Sequence, residues 1–289
     1  MLRRQRTILK LLAAANGPLS ATQIQKYMFL LRQETRLGHD STFYEFLPYK
    51  FGPYSFAAQR EIETLTAYGY VAAAACSMCV TSLGKEEAIK VDDDTSHAVF
   101  AIVSRYGKLS VRNLLKDVYT RYPWFASHSE LKELVPAGIE KPQTAAPAVY
   151  TIGYEGRSVD GFLNNLIYRG IRRIIDVRAN PVSRKYGFAR SALARLSAKL
   201  GLDYSHFPEL GISSKQRKDV RTRAEFMELF SDYERQILPA RTADMTGVAE
   251  LMRSTPSVLL CMEKEVVDCH RSRLADRIGS LTNLSQVHL

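Results

Sequence analysis

The chain has 289 residues, enough for two domains of ordinary size, and 46% of them are hydrophobic, which is normal for a protein with a buried core. It lacks a run of eighteen apolar residues, so the sequence predicts no transmembrane helix. Four cysteines do not make a disulfide scaffold in a chain of this length, and we therefore expect a reducing, cytoplasmic environment. The 40 basic residues exceed the 30 acidic ones, giving a net charge of +10, and this favours polyanionic partners without specifying which.

The first predicted elements are two helices separated by a turn. The basic and then apolar start resembles a signal peptide, but Lys10 interrupts its short apolar stretch, and the apolar spacing predicts an amphipathic helix over 4–15. Asn16-Gly17-Pro18 is a strong stop signal for this helix. Ser20 is predicted to cap a second helix over 21–35.

An aromatic segment with a Gly52-Pro53 turn follows. Ser55 is predicted to cap a third helix over 56–67, and a strand pair over 71–81 leads into a further helix. The order helix, helix, helix, hairpin is typical of a winged helix-turn-helix, an α+β module. The turn and its flanks also resemble a small bacterial winged-helix-like family over residues 9–130, in which some members bind DNA and others bind protein.

The aromatic turn supplies the candidate DNA contacts of this first part. They are Lys50, Tyr49 and Tyr54, because a tyrosine can stack on bases and a lysine can neutralise phosphate. The alternative is that the aromatic side chains pack as core beneath a loop. Cys76 and Cys79 have the spacing of metal ligands, but a second such pair is missing nearby, and we expect half-buried thiols there.

A Pro- and Ala-rich segment without periodicity, residues 135–148, is predicted to be an interdomain linker. It separates a winged-helix-like DNA-binding module with a helical extension, 1–134, from a second domain, 149–289. Both sides of the linker carry more basic than acidic residues.

The second domain alternates apolar strands with amphipathic helices. Strands are predicted over 149–154, 173–178, 203–207 and 257–262, with a last edge strand over 285–289. Helices are predicted after Ser158, over 191–200 and over 269–278. A strand, a helix and a strand within about thirty residues form a βαβ unit, so we expect a three-layer α/β domain with a mostly parallel sheet.

Polar residues gather where four of these strands end. Ligands of open α/β sheets bind at the carboxyl ends of the strands, which predicts one pocket there. The candidate catalytic residues are Asp176, Glu155, Glu263 and His206. The candidate substrate-binding residues are Tyr154, Arg178, Ser183, Arg184, Glu209, Cys269, His270 and Arg271. The alternative is a rim of salt bridges, in which the glutamates pair with the arginines.

Four ordered motifs in this domain, TIGYEGRS, IIDVRANPVSR, YSHFPELG and CMEKEVVDCHRSRLA, resemble a bacterial and archaeal family of domains of unknown function, family four-eight-eight. The resemblance covers residues 149–289. The family pattern usually has a doubled glycine after the leucine, whereas this chain has Leu210-Gly211-Ile212. The resemblance implies a fold and the location of a site in this domain. It says less about which reaction the site performs.

Several chemistries lack their motifs in this domain. The G-x-G-x-x-G of a hydride-transfer cofactor, a P-loop and the paired motifs of zinc deaminases are all missing, and we expect no cofactor and no metal. Cys269 is either a nucleophile, paired with His206 or held at a low pKa by a helix N-terminus, or a buried thiol. His270 is either a structural residue or an acid or phosphate contact.

Acid/base work by carboxylates, assisted by Arg and His, fits hydrolysis of an N-glycosidic bond. The sequence therefore predicts a DNA glycosylase that acts on a flipped, modified base in duplex DNA, with a role in defence against phages. Two alternatives stay open. One is a nuclease with Asp176, Glu155 and Glu263 as ligands of a divalent metal. The other is a non-enzymatic DNA-binding regulator whose second domain senses a nucleotide.

Overall fold

The chain divides into two compact units, Met1–Lys141 and Pro142–Leu289. The computed structural model describes residues 1–15, 17–75, 77–139, 143–218 and 220–289. Asn16 of the predicted helix stop, Cys76 of the predicted thiol pair and residues 140–142 of the predicted linker lie outside the described residues. In the described part of the chain, no helix has both the length and the apolar character needed to cross a membrane.

The first unit contains six α-helices and five short strands among its described residues. The helices are α1 (Arg3–Ala14), α2 (Ala21–Glu34), α3 (Phe56–Ala67), α4 (Ser82–Ala88), α5 (Asp93–Tyr106) and α6 (Val111–Arg121). The strands are β1 (Leu19–Ser20), β2 (Leu47–Tyr49), β3 (Gly52–Tyr54), β4 (Val71–Ala74) and β5 (Ser77–Val80). β5 lies between β1 and β4 in an antiparallel sheet, and β2 pairs with β3 in a hairpin.

Helix α2 lies at the centre of the first unit, and its cap is the one predicted. The Ser20 hydroxyl accepts a hydrogen bond from the Gln23 amide, and the Gln23 side chain accepts one from the Ser20 amide. Every residue from Ile24 to Leu31 is buried, including the polar Gln25 and Lys26. A helix that is surrounded on all sides needs partners for such polar groups.

The Gly-Pro turn supplies those partners. Gln25 exchanges two hydrogen bonds with the backbone of Ser55, and Lys26 Nζ donates to the Pro53 carbonyl at 2.8 Å. Gly52 at the turn has φ +88°, and a Cβ there would lie 2.4 Å from the Tyr119 ring. The turn is therefore clamped between α2 and α6 in a conformation that requires glycine.

The second unit is built on one five-stranded sheet. Its strands are β6 (Val149–Gly153), β7 (Arg173–Asp176), β8 (Asp203–His206), β9 (Ser257–Cys261) and β10 (Gln286–His288). Its helices are α7 (Val159–Tyr168), α8 (Arg190–Lys199), α9 (Ser214–Arg217), α10 (Arg223–Asp232), α11 (Thr242–Ser254) and α12 (Arg271–Thr282). The strand order is β10-β6-β9-β7-β8 and all pairings are parallel, which confirms the predicted α/β class.

Both faces of the sheet are covered. On one face Ile175 and Leu259 pack in a cluster with side chains of α11 and α12. Their neighbours Ile174 and Leu260 point to the opposite face and are also fully buried. Strands that are buried on both faces explain why the sequence shows continuous apolar runs instead of alternation.

The predicted helix over 269–278 is wrong at both ends. Helix α12 begins at Arg271 and ends at Thr282. Before it, the Cys269 amide donates to the Val266 carbonyl in a turn, so Cys269 and His270 precede the first helical residue. Their side chains lie against Cys261 at the end of β9.

Candidate active site

Two adjoining depressions lie at the carboxyl ends of the strands. The inner cavity, of about 170 Å³, is lined by Tyr154, Arg178, Ala179, Asn180, Val182, Ile212, Cys261, Met262 and His270. The outer cleft, of about 470 Å³, is more open and is lined by Pro181, Val182, Ala189, Arg190, Ser191, Ala194, Tyr204 and His206. Val182 lines both, so the two depressions share a wall.

Asp176 and Arg178 form a buried ion pair between the two depressions. Asp176 is fully buried, and its Oδ1 accepts hydrogen bonds from Arg178 Nε (2.8 Å) and from the Arg178 amide (3.1 Å). Its Oδ2 accepts from Arg178 Nη2 and from the Tyr204 hydroxyl at 2.6 Å. Both carboxylate oxygens are therefore occupied by protein donors, and of the two residues it is Arg178 that lines the inner cavity.

The neighbouring carboxylate keeps the Arg178 guanidinium protonated. Burial works to lower the pKa of Arg178, but the hydrogen bonds and the negative charge of Asp176 outweigh burial, and the pKa of the guanidinium is raised. Burial and the same carboxylate raise the pKa of the Tyr204 hydroxyl, so it keeps its proton and donates it to Asp176.

Aromatic packing fixes the other side of Arg178. The Tyr154 ring is 4.3 Å from the Phe188 ring in a stacked arrangement, and the Arg178 guanidinium lies 5.1 Å from the Tyr154 centroid. Arg178 Nη1 also donates to the Phe188 carbonyl at 2.9 Å. Tyr154 is therefore a wall of the cavity that is already stacked within the protein.

The loop after β9 crosses the end of β6 at very short range. A Cβ on Gly153 would lie 1.8 Å from the Glu263 carbonyl oxygen, so only glycine permits this approach. Arg271 is buried and donates to the carbonyls of Glu263 and Lys264, and the Lys264 amide donates to the Glu155 carboxylate at 3.0 Å. Arg271 thus holds the loop from beneath and is absent from the lining of the inner cavity.

Two thiols, an imidazole and a carboxylate meet beside the inner cavity, and we call Cys261, Glu263, Cys269 and His270 the thiol cluster. His270 Nδ1 is 3.7 Å from Cys261 Sγ and 3.9 Å from Cys269 Sγ. The Glu263 carboxylate oxygen Oε2 lies 3.1 Å and 3.0 Å from the same two sulfurs. Cys261, Cys269 and His270 are all buried, and Cys261 and His270 line the cavity.

The protonation state of Cys269 differs from the thiolate predicted for a nucleophile at a helix N-terminus. Burial and the neighbouring Cys261 raise the pKa of the Cys269 thiol well above its ordinary value. The imidazole in contact with Cys269 is that of His270, whereas His206 Nε2 bonds to the Arg178 carbonyl at 2.9 Å. The structure therefore favours the thiol form of Cys269.

The remaining predicted residues of this unit lie toward its surface. Arg184 is exposed, and the half-buried Ser183 accepts a hydrogen bond from the Lys185 amide. Glu209 is exposed and pairs with Arg241 at 2.5 Å, and it lines neither depression. His206 does line the outer cleft.

Sequence reasoning missed Tyr204 and Arg190 of the outer cleft. Tyr204 could have been found, because it lies two residues before His206 on a strand and side chains two apart share a face. Arg190 begins α8 after the loop that follows β7, and a basic residue at a helix start carries no comparable signal.

The candidate residues of the first unit lie in and around the aromatic turn. The half-buried rings of Tyr49 and Tyr54 are 5.1 Å apart, and both contact Phe56. Lys50 is exposed, and its Nζ lies 3.1 Å from a carboxylate oxygen of Glu130. The two tyrosines thus pack against other rings, while the lysine is accessible.

Only one group of described residues has ligand atoms close enough to share a metal ion. Cys261, Cys269 and His270 have ligand atoms within 4.8 Å of one another. Within the described ranges, the carboxylates of Asp176, Glu155 and Glu263 do not form such a group.

Comparison with known proteins agrees with the motifs in the second unit. Residues 158–278 match the family model described as Domain of unknown function DUF488. No curated protein matches the chain. The match covers most of the second unit and supports the resemblance of that unit to the DUF488 family.

Proposed function

We propose that the second unit is a hydrolase that cleaves the N-glycosidic bond of a base extruded from DNA. The observation that carries the proposal is the pair of adjoining depressions, the outer one wider and more open than the inner, with an arginine in each wall. The outer cleft falls within the usual range of ligand sites, roughly 300–1,000 Å³. The inner cavity is smaller and suits a single ring.

The outer cleft is the proposed seat of the DNA backbone. Arg190 and His206 line it, and the exposed Arg184 and Lys185 lie on the loop beside it. Side chains of this kind contact phosphates and fix the register of a nucleic acid without reading its sequence. The flipped nucleotide then places its base toward the inner cavity.

Arg178 is the proposed electrostatic catalyst. Arg178 lines the inner cavity and its guanidinium is held by Asp176 and the Phe188 carbonyl, so it needs no reorganisation when negative charge develops on the departing base. Asp176 acts through Arg178 and is in this scheme a positioning residue.

Glu263 is the proposed carboxylate of the reaction, with Glu155 tied to the same loop. A carboxylate near the sugar stabilises an oxocarbenium-like transition state and orients water. The C1′–N bond breaks with its electron pair leaving on the base, the water oxygen bonds to C1′, and a water proton ends on the base. Glu263 relays that proton.

The first unit is proposed to be a winged-helix-type module that holds the duplex. Its order of α1, α2, α3 and the β4–β5 hairpin supports this assignment, as does the accessible Lys50. Tyr49 and Tyr54 are proposed to support the turn that presents Lys50. A base-specific hydrolase joined to a duplex-binding module suits cytoplasmic defence against phages with modified DNA.

The test is incubation of the full chain with modified and unmodified DNA, followed by detection of free bases, abasic sites and nicks. We expect free base and abasic sites with the wild-type chain and with Glu265→Gln, an exposed neighbour. We expect neither product with Glu263→Gln. Nicks without free base would identify a nuclease instead, and intact DNA with a sequence-selective footprint would identify a regulator.

A further inference from the structure

We propose that the thiol cluster is a zinc site in which Cys261, Cys269 and His270 are the protein ligands and the fourth position is open to the inner cavity. This site goes beyond the proposed hydrolase, and only the role of the zinc-bound water rests on that function. A site with three protein ligands and one open position is the pattern of catalytic zinc, whereas structural zinc is closed by four.

The spacing of the ligand atoms fits zinc. Zinc binds thiolate sulfur at about 2.3 Å and imidazole nitrogen at about 2.0–2.1 Å, so a tetrahedral centre places sulfur and nitrogen about 3.5–3.6 Å apart. The two distances from His270 Nδ1 to sulfur are 3.7 and 3.9 Å. The two nitrogen–sulfur distances thus exceed the tetrahedral value by a few tenths of an ångström at most, and all three ligand atoms lie within 4.8 Å of one another.

The surroundings of the imidazole favour the tautomer that a metal requires. His270 Nε2 lies 3.3 Å from the Val177 carbonyl oxygen, which can only accept a hydrogen bond. The tautomer with its proton on Nε2 satisfies this contact and leaves the lone pair of Nδ1 for a metal ion beside the two sulfurs. A backbone carbonyl behind the distal nitrogen is the usual support of a zinc-bound histidine.

The charges of the site also suit zinc. Binding releases the two thiol protons to solvent, and two thiolates then balance the charge of Zn²⁺, so that a neutral centre replaces three buried polar groups. The ligands lie on ordered elements, with Cys261 ending β9 and with Cys269 and His270 directly before α12.

Arg178 would face the water on the fourth position, and the Glu263 carboxylate contacts both thiol ligands. Cys261 and His270 line the cavity that Arg178 also lines, so the open position of the ion is on that side. Water bound to zinc can lose a proton near neutral pH and become hydroxide. In this site the Glu263 carboxylate would accept that proton. The site would thus supply the nucleophile of the proposed hydrolysis.

The first experiment measures metal in the full chain, purified without chelator. We expect about one zinc per chain, and after exchange we expect the intense thiolate-to-cobalt absorption of tetrahedral Co²⁺. A Cys76→Ser/Cys79→Ser double variant leaves only the cluster thiols, so its cobalt spectrum must match that of the wild type. A spectrum without thiolate bands in this variant would overturn the proposal. This test keeps all three ligands, so it does not depend on whether the ligand variants fold.

A second experiment removes the proposed ligands one at a time and measures the zinc that stays bound. Cys261→Ser, Cys269→Ser and His270→Gln should each lose zinc, while His206→Gln, a nearby histidine outside the cluster, should keep it. Zinc retained in full by Cys269→Ser would refute the site. So would a Cys261–Cys269 disulfide in the purified chain together with no zinc uptake after its reduction.

Metal content and base release separate this inference from the proposed function. Bound zinc without base release on any DNA substrate would support the site and reject the hydrolase. Base release by a chain that binds no zinc would reject the site and leave the hydrolase standing.

Discussion

At the scale of single residues, Asp176 and Arg178 show how a strand end creates a functional group. The two side chains lie two positions apart and meet in a bidentate pair, and Tyr204 adds a further donor to the carboxylate. A buried ion pair is weak evidence of stabilisation, since removal of two charges from water offsets their attraction. Its place in the wall of a cavity favours a role in binding or catalysis.

Asp176→Asn tests that role. The substitution leaves Arg178 buried without its counter-charge, and we expect the free energy of unfolding of the second unit to fall by about 3 kcal/mol. Base release in single turnover should fall roughly a hundredfold, equivalent to about 2.7 kcal/mol of transition-state stabilisation. Denaturation followed by circular dichroism gives the first quantity, and quenched-flow assays give the second.

Asp203→Asn is the matched control for this substitution. Asp203 pairs with Arg173 at 2.7 Å but is 63% exposed, so its loss should change the free energy of unfolding by less than about 1 kcal/mol. The double variant Asp176→Asn/Arg178→Gln should regain stability and stay inactive. Wild-type base release by Asp176→Asn would show that the reaction does not need Asp176 to position Arg178.

At the scale of elements, α2 explains the polar residues of an otherwise apolar helix. Gln25 and Lys26 reach from α2 to the turn at Pro53 and Ser55, so the helix and the turn position each other. Burial lowers the pKa of Lys26 to about 7. The neutral amine can still donate to the Pro53 carbonyl.

The stability of the first unit should therefore depend on pH through Lys26. The ordinary pKa of a lysine in an unfolded chain is about 10.4, so between about pH 7 and pH 10 the unfolded chain binds more protons than the folded one. Stability must rise with pH across this window, because the cost of burying the charged amine disappears. The single tryptophan, Trp124, lies in this unit, and its fluorescence reports the unfolding in urea.

Lys26→Met should flatten this pH dependence, since methionine is similar in length and carries no charge. Lys85→Met, the same change at an exposed position, should retain the wild-type slope. Identical pH profiles for Lys26→Met and the wild type would show that Lys26 stays charged in the folded state.

At the scale of the whole molecule, the chain has two compact units and a net charge of +10. The division between Lys141 and Pro142 falls inside the segment predicted as a linker, 135–148. Each unit has its own set of buried apolar residues, so each meets the basic requirement for folding alone.

Duplex DNA binding should fall steeply as salt rises, because each phosphate contact releases counterions. Fluorescence anisotropy at a series of salt concentrations gives the slope of log affinity against log salt. Lys50→Gln should make that slope shallower if the first unit contacts phosphate, and Lys85→Gln serves as an exposed control. A slope of zero would rule out duplex DNA as the partner.

Limited proteolysis should cut between residues 135 and 148 and leave two folded fragments. Mass spectrometry locates the cut, and circular dichroism of the separated fragments reports their folding. A single protected fragment that spans the segment would show that the two units do not fold independently.

The sequence by itself determined the capped helices and the apolar strands of this protein, because their signals are local, but it did not predict α5, α10 and α11. Ser20 and Ser55 cap helices through amides three residues away, and the apolar run at Ile174 and Ile175 is sufficient to predict a buried strand. It also determined that polar side chains collect at strand ends. The inner cavity lies where those ends meet, around Tyr154, Arg178 and His270.

Only the tertiary structure decided which of those side chains meet. The strand order β10-β6-β9-β7-β8 places β9 between β6 and β7, so that Tyr154 and Arg178 meet Cys261 around one cavity. The loop after β9 then folds back and brings Cys269 and His270 against Cys261. The same order leaves Glu209 on the surface with Arg241, although it too follows a strand. Contacts between distant segments depend on sheet topology and on close approaches such as that at Gly153, and local sequence patterns encode neither.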